Sequence, residues 1–217
     1  MRKFDWDYIH SKCDLNQVRD ELWAHSRFYG LRFTYIIKMI EDKYYFESLL
    51  LLIMLLEQVL SSKTGQLSLN FESLINACFL GEKRNVANKL RDLRNKIAHR
   101  YLFKYFVSFD EKTEYPLSDL SNYEIILNKL FLPIISCFDD RYNETIDFSI
   151  GEYTINDLAQ QYGIQKELEI MTNLGINNNM SKEVKEKIAK ENINNIMRLI
   201  DNTSPVDMFE TILKSLF

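Results

Sequence analysis

Glycine and proline are scarce, six and three in 217 residues. So few backbone breakers interrupt the chain little, and the apolar spacing is mostly of the three-and-four kind that marks helices and not the alternating kind. Cysteine is scarce too, and its placement indicates neither a disulfide framework nor a zinc site. Cys13, Cys78 and Cys137 lie far apart with no C-x-x-C pair, which fits a reducing compartment. The first ten residues, "MRKFDWDYIH", carry charges with no apolar stretch behind them, unlike a secretory signal. No long hydrophobic run is present either. The longest, "LLLLIMLL" at 49 to 56, is flanked by Glu47 and Glu57 and falls short of the roughly 20 residues that span a bilayer. It reads as a buried core helix, and the expectation is a cytoplasmic protein with no membrane partner.

What is present is enough apolar material for a core, 46% of residues, and an uneven distribution of charge. The net charge of −4 conceals two halves of opposite sign. Residues 1 to 105 hold 17 Lys/Arg against 12 Asp/Glu, and residues 106 to 217 hold 10 against 19. The positive charge is concentrated between 83 and 104, where Lys83, Arg84, Lys89, Arg91, Arg94, Lys96, Arg100 and Lys104 face Asp92 alone. Such a cluster suits a polyanion, most commonly nucleic acid; the plainer reading is a solvated helix face.

The spacing predicts helices near 13 to 41, 43 to 62, 71 to 80, 84 to 105, 121 to 139, 154 to 162, 165 to 173, 181 to 200 and 205 to 216. Ser121 with Glu124 and Thr154 with Asp157 read as capping boxes, and Ser204 before Pro205 as a cap with proline at the first helical position. "VSFDEKTEYPLSDLSN" at 107 to 122 is a connector whose first part could form a short strand, and a second break falls in "DDRYNETIDFSIGEY" at 139 to 153. The expected class is all-α: a helical bundle over 1 to 140, then a smaller acidic helical extension over 141 to 217.

On the basic helix, at about 100° per residue, Val86, Leu90, Leu93, Ile97 and Tyr101 form one stripe facing the core. Arg94 lies at its edge, where an ion pair with Glu57 would suit it. His99 points roughly opposite the stripe, with Asn95 and Asp92 on its side one and two turns earlier. Arg94 and His99 are then about 140° apart on a regular helix. A second copy packed across this face, or a bend near His99, would bring the two groups to one phosphate.

The stretch "RDLRNKIAHRY" at 91 to 101 contains Arg94, Asn95, His99 and Tyr101 in the order R-N-x3-H-x-Y. It resembles the R-x4-H signature of the HEPN superfamily, in the longer R-x4-H-x-Y form found in HEPN toxins paired with minimal nucleotidyltransferase antitoxins. The apolar helix "YYFESLLLLIMLLEQVL" at 44 to 60 resembles the long helix that precedes the motif in that family. Residues 10 to 140 are the part that maps onto it.

This resemblance implies metal-independent endoribonuclease activity, with no cofactor and no metal, in a toxin or phage-defence role. In such cleavage the ribose 2′-OH attacks the adjacent phosphate, so a base, an acid and a cation are needed. The pKa of histidine, about 6.5, suits both proton transfers, and the planar fork of arginine suits the phosphate. Arg94 and His99 would be the active pair, and Asn95 would orient His99 or bind phosphate. Lys89, Arg91, Lys96, Arg100 and Lys104 would hold the RNA backbone. Two copies of His99 would supply both base and acid, which favours a homodimer with a composite site. Tyr101 corresponds to the tyrosine that a nucleotidyltransferase antitoxin adenylates in that family, although here it also falls on the core stripe. The main competitor is a catalytically silent HEPN module that binds RNA or a protein. A third reading has the acidic extension folding over the basic helix and holding it inactive.

Other candidates carry less. His10 and His25 sit beside Trp6 and Trp23, where a packed or surface role is the simpler account. "YTINDLAQQYGI" at 153 to 164 looks like the start of a helix-turn-helix, but "QKELEIMTNLG" after it has one lysine and two glutamates, unlike a recognition helix. Residues 181 to 200 read as an ordinary amphipathic helix.

Overall fold

The computed structural model describes residues 4 to 66, 68 to 98, 102 to 110 and 112 to 154, with positions 157, 180, 181, 183, 184 and 187 beyond them. Seven α-helices lie among the described residues: α1 (Trp6–Lys12), α2 (Leu15–His25), α3 (Arg27–Glu41), α4 (Tyr45–Thr64), α5 (Phe71–Cys78), α6 (Gly81–Ala98) and α7 (Tyr123–Phe138). Three short strands, β1 (Tyr105–Ser108), β2 (Glu114–Pro116) and β3 (Ser149–Glu152), form an antiparallel sheet in the order β2-β1-β3. The chain is therefore mostly helical but not all-α.

α4 lies at the centre because of its composition. Leu49, Leu52, Ile53, Leu55, Leu56, Val59 and Leu60 are all buried, and α3, α5, α6 and α7 pack around it. By length and apolarity α4 is also the one helix among the described residues that could cross a membrane. α7 brings a second apolar surface, with Ile126, Leu127, Leu130, Phe131, Ile134 and Ile135 fully buried against the same core.

Two expected helices are interrupted. The span 13 to 41 divides at Ser26, whose backbone is extended (φ −165°, ψ 134°) and whose hydroxyl accepts from Phe28 N at 3.3 Å. The serine is thus both the end of α2 and the N-cap of α3, so capping chemistry overrides continuous helical spacing. The two helices pack closely where Gly30 leaves room. A Cβ at that position would lie 2.7 Å from the Trp23 ring. The basic helix is described as α-helix to Ala98 and does not continue to 105, because Leu102–Lys104 is a 3-10 turn leading into β1. "YFVS" is rich in aromatic and β-branched residues, and Val107, fully buried, anchors the strand between two partners.

α1, which the spacing did not suggest, is capped by Asp5 through Tyr8 N at 2.9 Å. Ser121 does not pair with Glu124. Asp119 instead caps a 3-10 turn at Leu120–Asn122 through Ser121 N, and the Glu124 carboxylate accepts from Phe4 N and Tyr45 Oη, both at 3.0 Å. The Thr154–Asp157 box is present: Thr154 N donates to Asp157 Oδ2 at 2.8 Å and Asp157 N to Thr154 Oγ1 at 3.2 Å. The helices expected at 154 to 162, 165 to 173, 181 to 200 and 205 to 216, with the Ser204–Pro205 cap, fall mainly or wholly outside the described residues.

After α7, residues 139 to 152 return along α6 to the sheet. Tyr142, Ile146 and Ile150 pack on the core and Phe148 is buried, so this strap is part of the bundle's surface. Its last four residues are β3, paired with β1 in the register Tyr105↔Glu152, Phe106↔Gly151 and Val107↔Ile150. The pairing depends on Gly151, because a Cβ there would fall 2.0 to 2.6 Å from the Phe106 ring. Gly151→Ala should lower stability to urea by about 1–3 kcal/mol through this overlap. Phe106→Ala combined with Gly151→Ala should cost less than the two single changes together, as measured by equilibrium unfolding of the four proteins.

Candidate functional site

α6 begins at Gly81, whose φ of +56° turns the chain into the helix after α5. Val86, Leu90, Leu93 and Ile97 of the expected stripe are buried, joined by Ala87, and they fix which side chains can reach the surface. Arg94 stands at the stripe's edge, half-buried. Nη2 donates to Glu57 Oε2 of α4 at 2.5 Å, and Nη1 donates to Asn95 Oδ1 at 3.1 Å. The guanidinium carbon sits 5.7 Å from the centre of the Phe71 ring of α5. Three elements therefore hold this arginine in place. Its Nε is buried with no acceptor among the described residues, so the group is not saturated.

Asn95 turns its carbonyl to Arg94 and keeps its amide hydrogens for another acceptor. His99, Arg100 and Tyr101 lie outside the described residues. The expected angle between Arg94 and His99 therefore falls partly on residues that are not described, α6 being described to Ala98.

The remaining described cations of this stretch are engaged. Lys89 pairs with Asp147 at 2.5 Å and lies 5.5 Å over the Phe148 ring, and Lys104 pairs with Glu152 at 2.5 Å. Lys83, earlier on the helix, pairs with Asp140 at 2.9 Å. Arg91 meets Glu72 of α5, and Arg84 donates to the carbonyls of Phe79 (2.7 Å) and Asn76 (3.3 Å), satisfying the end of α5. Lys96 has no carboxylate partner among the described residues. Its Nζ lies 4.4 Å from the centre of the Tyr105 ring, a cation–π contact.

Three of these partners, Asp140, Asp147 and Glu152, come from the strap, which runs beside α6 in the same direction. The lysine hydrogen bonds hold the Asp140 and Asp147 carboxyls below the usual aspartate range. Both carboxylates are almost fully exposed, at 88% and 96%, so each can swing away at little cost. Between the strap and the first half of α6 lies an open cleft of about 480 Å³. Glu82, Asn85 and Lys89 line it with Thr145 and Asp147, on a different side of α6 from Arg94.

The strap's carboxylates and Phe71 are the members of this neighbourhood that no motif identified. The only trace of them in the sequence is the acidic balance after residue 105. No group of three or more potential metal-ligating side chains occurs among the described residues. The cysteines are packing residues: burial pushes the Cys13 thiol up to about 11 and the Cys137 thiol up to about 12. His10 stacks on Trp6 with ring centres 5.7 Å apart, and His25 is the exposed last residue of α2.

Glu57→Gln should destabilise the fold by about 1 kcal/mol, because it leaves the half-buried Arg94 cation without its counter-charge. Glu57→Leu with Arg94→Met should cost less than Glu57→Leu alone, and denaturant unfolding of the double-mutant cycle measures this coupling. No protein-family model, curated protein or solved structure matches the chain.

Proposed function

We propose that this chain is a metal-independent endoribonuclease of HEPN type, with Arg94 and His99 as its active pair, working as a toxin or phage-defence effector. The observation that supports this most is the state of Arg94. It is fixed by Glu57, Phe71 and Asn95, and one hydrogen on each of its Nη atoms has no acceptor among the described residues, five residues before the histidine of the motif. An arginine held this way meets a phosphate without first losing side-chain freedom, which is how a preorganised charge lowers a barrier.

In the proposed reaction the 2′-OH loses its proton to a base and attacks the neighbouring phosphorus. The P–O5′ bond breaks, the leaving oxygen takes a proton, and the ends are a 2′,3′-cyclic phosphate and a 5′-hydroxyl. His99 serves as base or acid, and a second copy of the chain supplies the other. Arg94 takes the extra negative charge on the phosphoryl oxygens. Asn95 contributes its amide hydrogens, and Lys89, Arg91, Lys96, Arg100 and Lys104 hold the flanking backbone. Tyr101 is the proposed acceptor for adenylation by a nucleotidyltransferase-type antitoxin.

A second reading, an RNA- or protein-binding module without catalysis, draws on the same pair. Arg94 already has a counter-charge in Glu57 and serves the core's edge whether or not RNA is cut. The strap adds a regulatory element to either reading, since Asp140, Asp147 and Glu152 occupy lysines that RNA phosphates would otherwise take.

Incubation with total RNA in EDTA distinguishes the two readings. Wild type should leave cyclic phosphate ends, while His99→Ala and Arg94→Ala should each lose at least about a hundredfold in rate. RNA that is bound but never cut by wild type would favour the second reading. Asp140→Asn, Asp147→Asn and Glu152→Gln together should raise RNA affinity and steepen its salt dependence by roughly 0.7 for each further phosphate that a freed lysine neutralises. Filter binding across a salt series reads both quantities, and unchanged values would remove the strap from the account.

A further inference from the structure

The exposed side of α3, with Trp23 of α2, has the composition of a nucleic-acid surface and lies outside the basic stretch at 83 to 104. Phe28, Leu31 and Tyr35 are 56%, 50% and 61% exposed, and Trp23 is 43% exposed. Spaced at i, i+3 and i+7, the three α3 residues form one stripe about 10 Å long. Apolar side chains at these positions contribute nothing to the core, which the other side of α3 reaches through Phe33, Ile36 and Ile40.

The stripe is flanked by cations. The Arg27 guanidinium lies 5.9 Å from the centre of the Trp23 ring, and that of Arg32 lies 5.5 Å from Phe28. The run "LWAHSRFYGLRFTYIIKMI" at 22 to 40 contains Arg27, Arg32 and Lys38 and no aspartate or glutamate. None of the three has a carboxylate in ion-pairing reach among the described residues, whereas most cations of α6 do. Gly30 sets the platform's shape by letting the Trp23 ring lie against α3.

We infer that this stripe is a stacking platform for single-stranded RNA. Exposed aromatics interleaved with arginine and lysine bind single strands by stacking bases on rings and drawing the backbone to the cations. A second copy of the chain fits less well, since a symmetric contact would bring the same cations against one another. The position also suits RNA that reaches Arg94. Arg32 donates to Gln58 Oε1 at 2.9 Å while Arg94 holds Glu57, so the stripe and the candidate site border the same turn of α4. The choice of RNA over other single strands rests on the proposed nuclease reading; the platform itself does not.

The test uses full-length His99→Ala protein, so that RNA stays intact, with Trp6→Phe added to leave Trp23 as the only tryptophan. An unstructured 20-nucleotide RNA should quench Trp23 fluorescence, and an equal-length duplex should quench it far less. Phe28→Ala and Tyr35→Ala should each weaken binding about tenfold. Tyr35→Phe, which keeps the ring, should bind like the parent, and Arg27→Gln with Lys38→Gln should flatten the salt dependence. Affinity within twofold of the parent in both alanine variants overturns the platform, as does a dimer in sedimentation that those variants dissociate. Stacking without any cleavage by wild type would leave the platform standing and remove the nuclease. Cleavage with no effect at the stripe would do the reverse.

Discussion

The architecture depends on covering α4. A 20-residue helix this apolar cannot present a face to water, so α3, α5, α6 and α7 are arranged around it. Its apolar run is interrupted by two adjacent polar residues, Glu57 and Gln58, before Val59 and Leu60 are buried again. Gln58 accepts from Arg32 through its side chain and from Tyr29 Oη through its backbone carbonyl, at 3.2 Å, and Glu57 accepts from Arg94. The helix that organises the core therefore also sets where two arginines of the surface stand.

The second constraint is electrical. The basic stretch would repel itself if its charges stood alone, and the fold answers with carboxylates from two directions, Glu57 and Glu72 from the side of α4 and α5 and three strap residues from the other. Among the described residues, three carboxylates of the acidic half meet lysines of the basic half side chain by side chain. α3 receives no such compensation, and the contrast between these two cationic surfaces is sharper in space than along the sequence.

Much of the core was legible because it depends on period. The stripe Val86, Leu90, Leu93 and Ile97 is buried as its spacing requires, and the run at 49 to 56 lies inside the bundle. The Arg94–Glu57 pair was also within reach of sequence reasoning, since an arginine at a stripe's edge needs a counter-charge on a neighbouring helix. Breaks and partners were harder. Ser26 divides a helix through backbone and hydroxyl geometry that spacing does not register, and β1 competes with helix only because β2 and β3 supply its hydrogen bonds. Glu124 satisfies the capping-box pattern with Ser121, but serves Phe4 and Tyr45 because they are near in space. The exposed spacing of Phe28, Leu31 and Tyr35 lies within a span that read as one continuous helix, so its solvent face could be seen only after the break at Ser26 had placed it.

The strap's attachment at both ends, to α7 on one side and by β3 to the sheet on the other, has a thermodynamic consequence. A carboxylate on a short anchored segment faces its lysine at an effective concentration in the millimolar range or above, which dilution of the protein does not change. Asp140, Asp147 and Glu152 thus behave as counter-ions that the chain carries with it. An anion approaching α6 would meet lysines that already have counter-ions, and would displace them one lysine at a time.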